Sequence, residues 1–281
     1  MAKTMKKVNV ATVGVGFLGS LVLAECAKAG LSALGLERGE RRGPEDFQEL
    51  HDEWRYAVNY ALMQDLSRDT VTFRNTEAMK ALPMRRLGSF LLGDGLGGAG
   101  THWNGMTFRF SPYDFQLKTM TEQRYGRNKL GPDYQLQDYP LTYDEMEPYY
   151  TAFEEAVGVA GEPGHFDGKR SKPYPMPPLV KTPALSMFEQ AARKMGCHPY
   201  MIPADIASGP FTTPDGIEHN PCMYCGFCER FACEYDAKAQ PSNTFIPAAE
   251  KTGNCEIRCN SNVVEILRKD GMVAGVRYVD T

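Results

Sequence analysis

The hydrophobic residues at the start of the chain fall into three blocks that are separated by glycines. Residues 8–13 (VNVATV) are rich in β-forming residues, residues 21–30 (LVLAECAKAG) have apolar side chains at helical spacing, and residues 31–39 (LSALGLERG) contain a second β-rich run. A strand, a helix and a strand joined by short turns are typical of a β–α–β unit. The first forty residues therefore predict an α/β fold.

Three more helices are predicted further along the chain. The first begins near Pro44 and has apolar residues at one-turn spacing, namely Phe47, Leu50, Trp54 and Val58. Thr142 and Glu145 have the spacing of a capping box and predict the second, although Pro148 favours a later start. The third runs from Ala184 and has an amphipathic pattern.

The end of the chain is again rich in β-forming residues. Residues 255–280 predict two or three strands, and the Asp270–Gly271 pair predicts a tight hairpin turn between them. Residues 111–180, in contrast, are rich in Pro and Tyr and lack a regular period. The two β-rich ends therefore enclose an irregular middle segment.

The overall composition is that of a globular protein. The chain has 281 residues, of which 42% are hydrophobic and 23% charged, and this is enough for one large domain or two. The net charge of -4 argues against a nucleic-acid surface, because such a surface needs a basic excess. No run of eighteen apolar residues occurs, so no membrane span is expected.

The glycines after the first strand form the motif Gly-x-Gly-x-x-Gly at Gly14, Gly16 and Gly19, and an acid, Glu37, follows the second strand. In this motif the first glycine makes the turn, the second admits a pyrophosphate, and the third lets the helix approach the strand. The acid accepts a hydrogen bond from a ribose 2′-hydroxyl. We therefore predict a dinucleotide site, with NADP disfavoured and both NAD and FAD compatible.

A second glycine-rich segment, GDGLGGAGTHWNG at residues 93–105, follows about eighty residues after the first. Glycine loses more backbone entropy on folding than any other residue, so this run cannot hold itself as a helix or a strand. It ends in His, Trp and Asn, three polar or aromatic side chains that can contact a cofactor. We interpret it as a second close approach of the backbone to the same extended cofactor.

Four cysteines crowd into twelve residues with the spacing C-x2-C-x2-C-x4-C, at Cys222, Cys225, Cys228 and Cys233. Thiolates at every third residue converge within one tight loop, as in iron–sulfur ligand loops. Structural zinc usually takes two pairs of ligands that are further apart. The spacing therefore favours an iron–sulfur cluster, with zinc, or thiols and disulfides without metal, as the alternatives.

Together, the two glycine segments resemble the glucose–methanol–choline oxidoreductase family. In that family an N-terminal Gly-x-Gly-x-x-Gly is followed by a glycine-rich run that ends in Asn-Gly. The corresponding residues here are Gly97, Gly98, Thr101, His102, Asn104 and Gly105. The likeness is greatest to the flavoprotein subunits of gluconate 2-dehydrogenases, and it covers the N-terminal half of such proteins.

The resemblance implies FAD as the cofactor and gives several residues a role. His102 would bond covalently to the flavin C8 methyl group, and Asn104 and Gly105 would lie near the isoalloxazine ring. The backbone of Val264 would meet the adenine. Some relatives carry a three-iron cluster in a cysteine-rich segment, although their cysteine spacing differs from that of this chain.

The function that the resemblance implies is oxidation of a CH–OH group in a sugar or sugar acid. Hydride would pass to flavin N5, and electrons would then leave to an external acceptor, through the cluster if one is present. One alternative is a sugar oxidase of the pyranose-oxidase kind that uses oxygen. Another is a non-catalytic flavin or cluster subunit for electron transfer.

The resemblance also implies missing parts and partners. The family's His–His or His–Asn catalytic pair lies in a C-terminal section that this sequence lacks, so the chain is expected to be incomplete and no catalytic residue is assigned. Expected partners are a small subunit, a cytochrome c acceptor subunit, or a second polypeptide with the C-terminal half. The location would be cytoplasmic, given no signal, or periplasmic if a partner carries the export signal.

The predicted architecture is a Rossmann-like FAD-binding domain with the beginning of a substrate domain inserted. Residues 1–110 would form the first segment of the FAD-binding domain, and residues 111–215 the irregular insert. Residues 216–281 would carry the cysteine cluster and return to the FAD-binding domain.

Overall fold

The polypeptide divides into two units. Residues 1–104 together with 223–281 form the first unit, and residues 105–222 form the second. The structure, a computed structural model, describes residues 4–47, 72–83, 92–129, 131 and 134–281.

Among these, the helices span Phe17–Lys28, Pro112–Phe115, Leu117–Tyr125, Tyr143–Val157, Pro183–Lys194 and Phe245–Lys251. The strands are β1 (Val10–Val13), β2 (Ala33–Leu36), β3 (Thr72–Phe73), β4 (Leu82–Pro83), β5 (Phe211–Thr212), β6 (Glu218–His219), β7 (Cys255–Arg258), β8 (Ser261–Lys269) and β9 (Met272–Asp280).

The predicted β–α–β unit is present at the start of the first unit. β1 and β2 run parallel, with Val10 opposite Ala33, and the helix Phe17–Lys28 connects them. The helix packs closely, because Gly35 leaves room for Leu23: a Cβ on Gly35 would lie 2.8 Å from the Leu23 Cδ1 atom. β7 joins the other edge of β2, also in parallel, and gives the order β1–β2–β7. The α/β prediction is therefore confirmed, and both ends of the chain contribute to one sheet.

The C-terminal strands β8 and β9 form the predicted hairpin. Asp270 and Gly271 have φ values of +52° and +79° at the turn. Two positive φ values in a two-residue loop are those of a type I′ turn, which matches the twist of the flanking strands. Residues 255–280 thus contain three strands, which lies within the prediction.

The predicted helix after Pro44 lies mostly outside the described residues. Pro44–Asp46 form a short 3-10 turn, and Phe47 is buried and packs with Ala232. Leu50, Trp54 and Val58 lie outside the described residues.

The second unit contains both helices that were predicted in it. One begins at Tyr143, because the Glu145 amide donates to the Thr142 hydroxyl (3.3 Å) and the Glu145 carboxylate accepts from the Thr142 amide (2.7 Å). The later start expected from Pro148 is wrong, since this capping box already satisfies amides of the first turn. The helix Pro183–Lys194 follows a Thr182 cap.

A buried ion cluster lies in the second unit. The Arg109 guanidinium donates to both oxygens of Glu154 at 2.7 Å and to Glu147 at 2.9 Å. Arg170 also pairs with Glu154, and Thr151 accepts from Arg109 at 3.0 Å. Buried charges are tolerated where they are paired and hydrogen-bonded in this way.

None of the helices described here is long and apolar enough to cross a membrane.

Candidate functional site

The glycines of the first motif each have a structural role. Gly14 has a φ of +87°, which a residue with a side chain rarely adopts. A Cβ on Gly19 would lie 2.2 Å from the Gly14 carbonyl oxygen, so the helix could not sit so close to the turn. A Cβ on Gly16 would meet only the Gly97 carbonyl oxygen, at 3.7 Å. Gly16 is therefore not required by internal packing, and its open face is free for a ligand.

The second glycine segment lies directly beside the first. The Gly97 amide donates to the Val15 carbonyl oxygen at 3.0 Å. A Cβ on Gly98 would lie 3.8 Å from the Gly16 Cα atom. Gly97 and Gly98 have φ values of +97° and +54°, so glycine is favoured at both positions. The two motifs, which are far apart in the sequence, thus form one cradle at the N-terminus of the helix Phe17–Lys28.

Glu37 follows β2 and is held beside this cradle. Its buried carboxylate accepts hydrogen bonds from the Val15 amide at 2.9 Å and from the Gly39 amide at 3.0 Å. Each carboxylate oxygen has a second lone pair, so the group can still accept from a ribose hydroxyl. The acid therefore supports the turn of the first motif, and its contact with the ribose stays a prediction.

His102 lies at the end of the second glycine segment, after the 3-10 turn Gly98–Thr101. The residue is only 2% exposed, and neither ring nitrogen has a hydrogen-bond partner among the described residues. Burial, together with the positive charge of Lys238, lowers the pKa of His102. Buried polar groups nearly always have a partner. A neutral, buried and unpaired imidazole therefore fits the predicted contact with a cofactor.

The residues on both sides of His102 are held by hydrogen bonds and by one aromatic contact. The Thr101 hydroxyl donates to the Leu96 carbonyl oxygen at 3.3 Å, and the Trp103 indole donates to the Ala239 carbonyl oxygen at 2.9 Å. Trp103 also packs edge-on against Phe17, with ring centroids 5.0 Å apart. Asn104 is half-buried at the end of the first unit.

Gly105, predicted to lie near the flavin ring, begins the second unit and has a φ of +80°. Its carbonyl oxygen accepts from the Asp205 amide at 2.7 Å. Val264, predicted to meet the adenine, is 56% exposed on β8, where the pairing with β9 shifts register between Val263 and Glu265. The cofactor roles of both residues stay predictions.

The predicted cysteine ligands of a metal are not seen as a ligand set among the described residues. Cys222 belongs to the second unit, where its amide donates to the Ala207 carbonyl oxygen, while the other three belong to the first unit. The backbone of the cysteine loop forms hydrogen bonds with two side chains. Lys238 donates to the Cys228 carbonyl oxygen, and the Cys233 amide donates to the Gln240 side chain. None of the four cysteines forms a disulfide within the described part of the chain. In the part of the chain that the structure describes, no three His, Cys, Asp or Glu side chains are placed to hold a metal ion.

Besides the ion cluster of the second unit, Lys238 and Asp205 are buried ionisable residues that were not singled out from the sequence. Lys238 is 1% exposed beside the His102 segment, and burial lowers the pKa of Lys238 to about 8. Asp205 is 1% exposed in the second unit, and burial raises the pKa of Asp205 to about 7. Neither carboxylate oxygen of Asp205 has a hydrogen-bond partner with good geometry among the described residues, and the nearby Thr107 hydroxyl offsets only part of the rise in pKa. No sequence pattern marks either residue, because their burial depends on packing alone.

These features define the class of the first unit. A parallel β–α–β unit with a glycine cradle at the helix N-terminus and an acid after the second strand is a dinucleotide-binding domain. FAD fits on two observations, the open backbone at Gly16 and the buried, unpaired imidazole of His102.

Comparison with known proteins identifies several similar proteins. No family model matches the chain. The chain is 36% identical to the gluconate 2-dehydrogenase flavoprotein of Pantoea cypripedii over 299 residues, which cover all of this chain and 49% of the relative. It is 27% identical to the fructose dehydrogenase large subunit of Gluconobacter japonicus over 238 residues, which cover 79% of this chain and 41% of the relative. The structure of pyridoxine 4-oxidase from Mesorbium loti has a TM-score of 0.49 and 17% identity over 98% of this chain and 48% of that chain.

The chain thus spans about half the length of the curated relatives that it matches. Over that half it is similar to the glucose–methanol–choline oxidoreductases, which use FAD. The predicted resemblance is confirmed, including its extent over half of such proteins.

Proposed function

We propose that this chain is the FAD-binding part of a dehydrogenase that oxidises a CH–OH group of a sugar or sugar acid. The observation that carries the proposal is the cradle formed by Gly16 and Gly97 at a helix N-terminus, with Glu37 beside it. The substrate class is supported by the relatives, which are named for gluconate and fructose.

The residues of this chain would bind and orient the cofactor. Gly16 and Gly97 offer a backbone surface without side chains, and the helix N-terminus stabilises a pyrophosphate through its amides and dipole. Glu37 would accept a hydrogen bond from the ribose. Bound FAD supplies the flavin ring that takes a hydride from the substrate carbon. The substrate hydroxyl must also lose a proton to a base, and no residue of this chain is assigned that role.

Covalent attachment of FAD through His102 is a further part of the proposal. It is supported by the burial of the ring, by its unpaired nitrogens and by its lowered pKa. A neutral imidazole has a nitrogen lone pair that can attack carbon, whereas an imidazolium has none.

Electrons would then pass to an external acceptor. We propose as partners a small subunit, a cytochrome c subunit or a second polypeptide that carries the C-terminal half. The relatives named "flavoprotein" and "large subunit" support partner subunits. No metal cluster is part of the proposal, since the described cysteines are not arranged as a ligand set.

The first test is a denaturing intact mass of the protein isolated from its source. We expect a mass increment of one FAD that maps to His102, and its loss in a His102→Ala variant that still binds FAD. Flavin that is released completely on denaturation would contradict the covalent bond. A native protein without any flavin would contradict the proposed function.

The second test is anaerobic addition of gluconate to the complete protein. Bleaching of the flavin absorbance, reversed by an added acceptor but slowly by oxygen, is the result expected of a dehydrogenase. Fast reoxidation by oxygen would instead indicate a sugar oxidase. FAD that is bound but never bleached by any sugar or sugar acid would indicate an electron-transfer subunit.

A further inference from the structure

The ammonium of Lys238 is buried in the first unit inside a cage of backbone carbonyl oxygens. Its ammonium donates to the carbonyl oxygens of Trp103 at 2.6 Å, Phe231 at 2.7 Å and Cys228 at 2.8 Å, with Thr101 at 3.4 Å. No carboxylate among the described residues pairs with it. Burying a charge without a counter-charge is costly and persists only where hydrogen bonds compensate for lost water. Here, peptide carbonyls provide that compensation.

The cage joins two segments that are distant in the sequence. Thr101 and Trp103 flank His102, and the His102 carbonyl oxygen itself accepts from the Arg230 amide at 2.8 Å. Three consecutive carbonyl groups, at residues 101, 102 and 103, are therefore held by residues 230 and 238. All these bonds are made to the backbone, and the His102 ring nitrogens remain without a partner among the described residues.

We propose that Lys238 is a positioning residue for the attachment of FAD to His102. This inference rests on the proposed function, in which His102 carries the flavin. The ammonium fixes the peptide groups on both sides of the histidine, so the ring is oriented by its backbone while both nitrogens stay free to react.

The reaction that Lys238 would assist couples bond formation to a two-electron oxidation. A bond forms between one His102 imidazole nitrogen and the carbon of the flavin C8 methyl group. One hydrogen leaves the imidazole and one leaves the methyl group. Both leave as protons; these two protons and the two electrons released finally pass to dioxygen, which becomes hydrogen peroxide, and the attached flavin is left oxidised. Intramolecular bond formation depends strongly on the orientation of the reacting atoms, and this is the property that the cage controls.

The test uses the complete protein with Lys238→Met, which keeps the volume of the side chain but removes its donors. The matched control is Lys269→Met, at an exposed position on β8. Apoprotein is mixed with FAD in air, and covalent flavin is followed by denaturing mass while total bound flavin is followed by native absorbance. We expect attachment to slow at least about tenfold in Lys238→Met and to be unchanged in Lys269→Met.

A second comparison separates positioning from folding. His102→Ala and the double variant His102→Ala/Lys238→Met should bind FAD with dissociation constants within about threefold of each other, since Lys238 acts through His102. A large loss of FAD binding in the double variant would overturn the proposal, because Lys238 would then support the fold of the site in general.

The remaining outcomes are also distinct. Attachment in Lys238→Met at the wild-type rate would overturn the role of Lys238 alone. Wild-type protein that holds only releasable FAD would overturn the covalent bond and with it the role of Lys238. Wild-type protein that binds no FAD would overturn the proposed function as well.

Discussion

The amide of Gly97 donates a hydrogen bond to the carbonyl oxygen of Val15 at 3.0 Å. This bond fixes the second glycine segment against the turn that precedes the helix Phe17–Lys28. Because Gly16 is the next residue after Val15, the backbone of both segments borders the same open surface. The proposed cradle for the cofactor is therefore a product of two segments, and it can be tested by substitutions in either one.

Substitution of Gly16 by Ala should weaken FAD binding without disturbing the fold. The new Cβ would make only an ordinary contact with the Gly97 carbonyl oxygen, at 3.7 Å, but it would occupy the face open to the pyrophosphate. We expect the dissociation constant of FAD to rise at least about tenfold, which corresponds to about 1.4 kcal/mol. Flavin fluorescence titration measures this, and the melting temperature of the apoprotein should change little.

Gly19→Ala and Gly275→Ala are the comparisons for that variant. The Gly19 Cβ would clash with the Gly14 carbonyl oxygen at 2.2 Å, so this variant should lose stability as well as FAD. Gly275 on β9 has open space around it, so its variant should behave like the wild type. Unchanged FAD affinity in Gly16→Ala would place the pyrophosphate elsewhere.

Substitution of Glu37 by Gln should destabilise the turn and weaken FAD binding together. The carboxylate accepts from the amides of Val15 and Gly39, whereas a Gln side chain has only one acceptor oxygen and turns a donor towards the other amide. Bonds to charged groups contribute about 1.5–3 kcal/mol each. Denaturant unfolding of the apoprotein measures the first effect and FAD titration the second.

The control for Glu37 is Glu40→Gln, whose exposed carboxylate only pairs with Arg42 at the surface. Exposed pairs of this kind contribute about 1 kcal/mol or less. Equal unfolding stability and equal FAD affinity of the two variants would contradict the role of the Glu37 hydrogen bonds.

Substitution of Glu154 by Gln should strongly destabilise the second unit. Glu154 is the common partner of Arg109 and Arg170, and all three side chains are buried. Removing its charge leaves two buried guanidinium groups without full compensation, which costs about 3–5 kcal/mol. The neighbouring variant Glu155→Gln removes an exposed pair with Lys172 and should cost less than about 1 kcal/mol. Urea unfolding of both variants is the measurement, and similar midpoints would contradict the buried role of Glu154.

Substitution of Asp205 by Asn should remove a pH dependence of stability. Burial raises the pKa of Asp205 to about 7, above the value of an unfolded aspartate. The folded protein therefore holds a proton that the unfolded chain loses, and stability falls as the pH rises from about 4 to about 7. Above about pH 7 the variant should be more stable than the wild type, by up to about 4 kcal/mol.

The experiment is a series of urea unfolding curves between about pH 5 and pH 8. The control is Asp144→Asn, at an exposed position in the first turn of the helix Tyr143–Val157, which should keep the wild-type pH dependence. A wild-type midpoint that stays constant over this range would show that Asp205 is not buried as a protonated acid.

The sequence was most informative where a local rule dictates the backbone. The β–α–β unit follows from the period of its apolar residues, Gly14 from the need for a positive φ, and the hairpin from Asp270–Gly271. The helix at Tyr143 begins where its capping box predicts, and Pro148 does not shift this start. The cysteine spacing, in contrast, predicted a metal site for which the described residues show no ligand set.

By itself, the sequence determined the dinucleotide-binding unit, its glycine motifs, and the likeness to flavin-dependent oxidoreductases. Only the tertiary structure decided that Gly97 lies against Val15 and that Lys238 donates hydrogen bonds to the carbonyl groups on both sides of His102. It also decided that the buried Asp205 carboxylate has no hydrogen-bond partner with good geometry among the described residues. The reason is physical. Local periodicity and φ preferences act over a few residues, whereas burial and contacts between distant segments depend on how the whole chain packs.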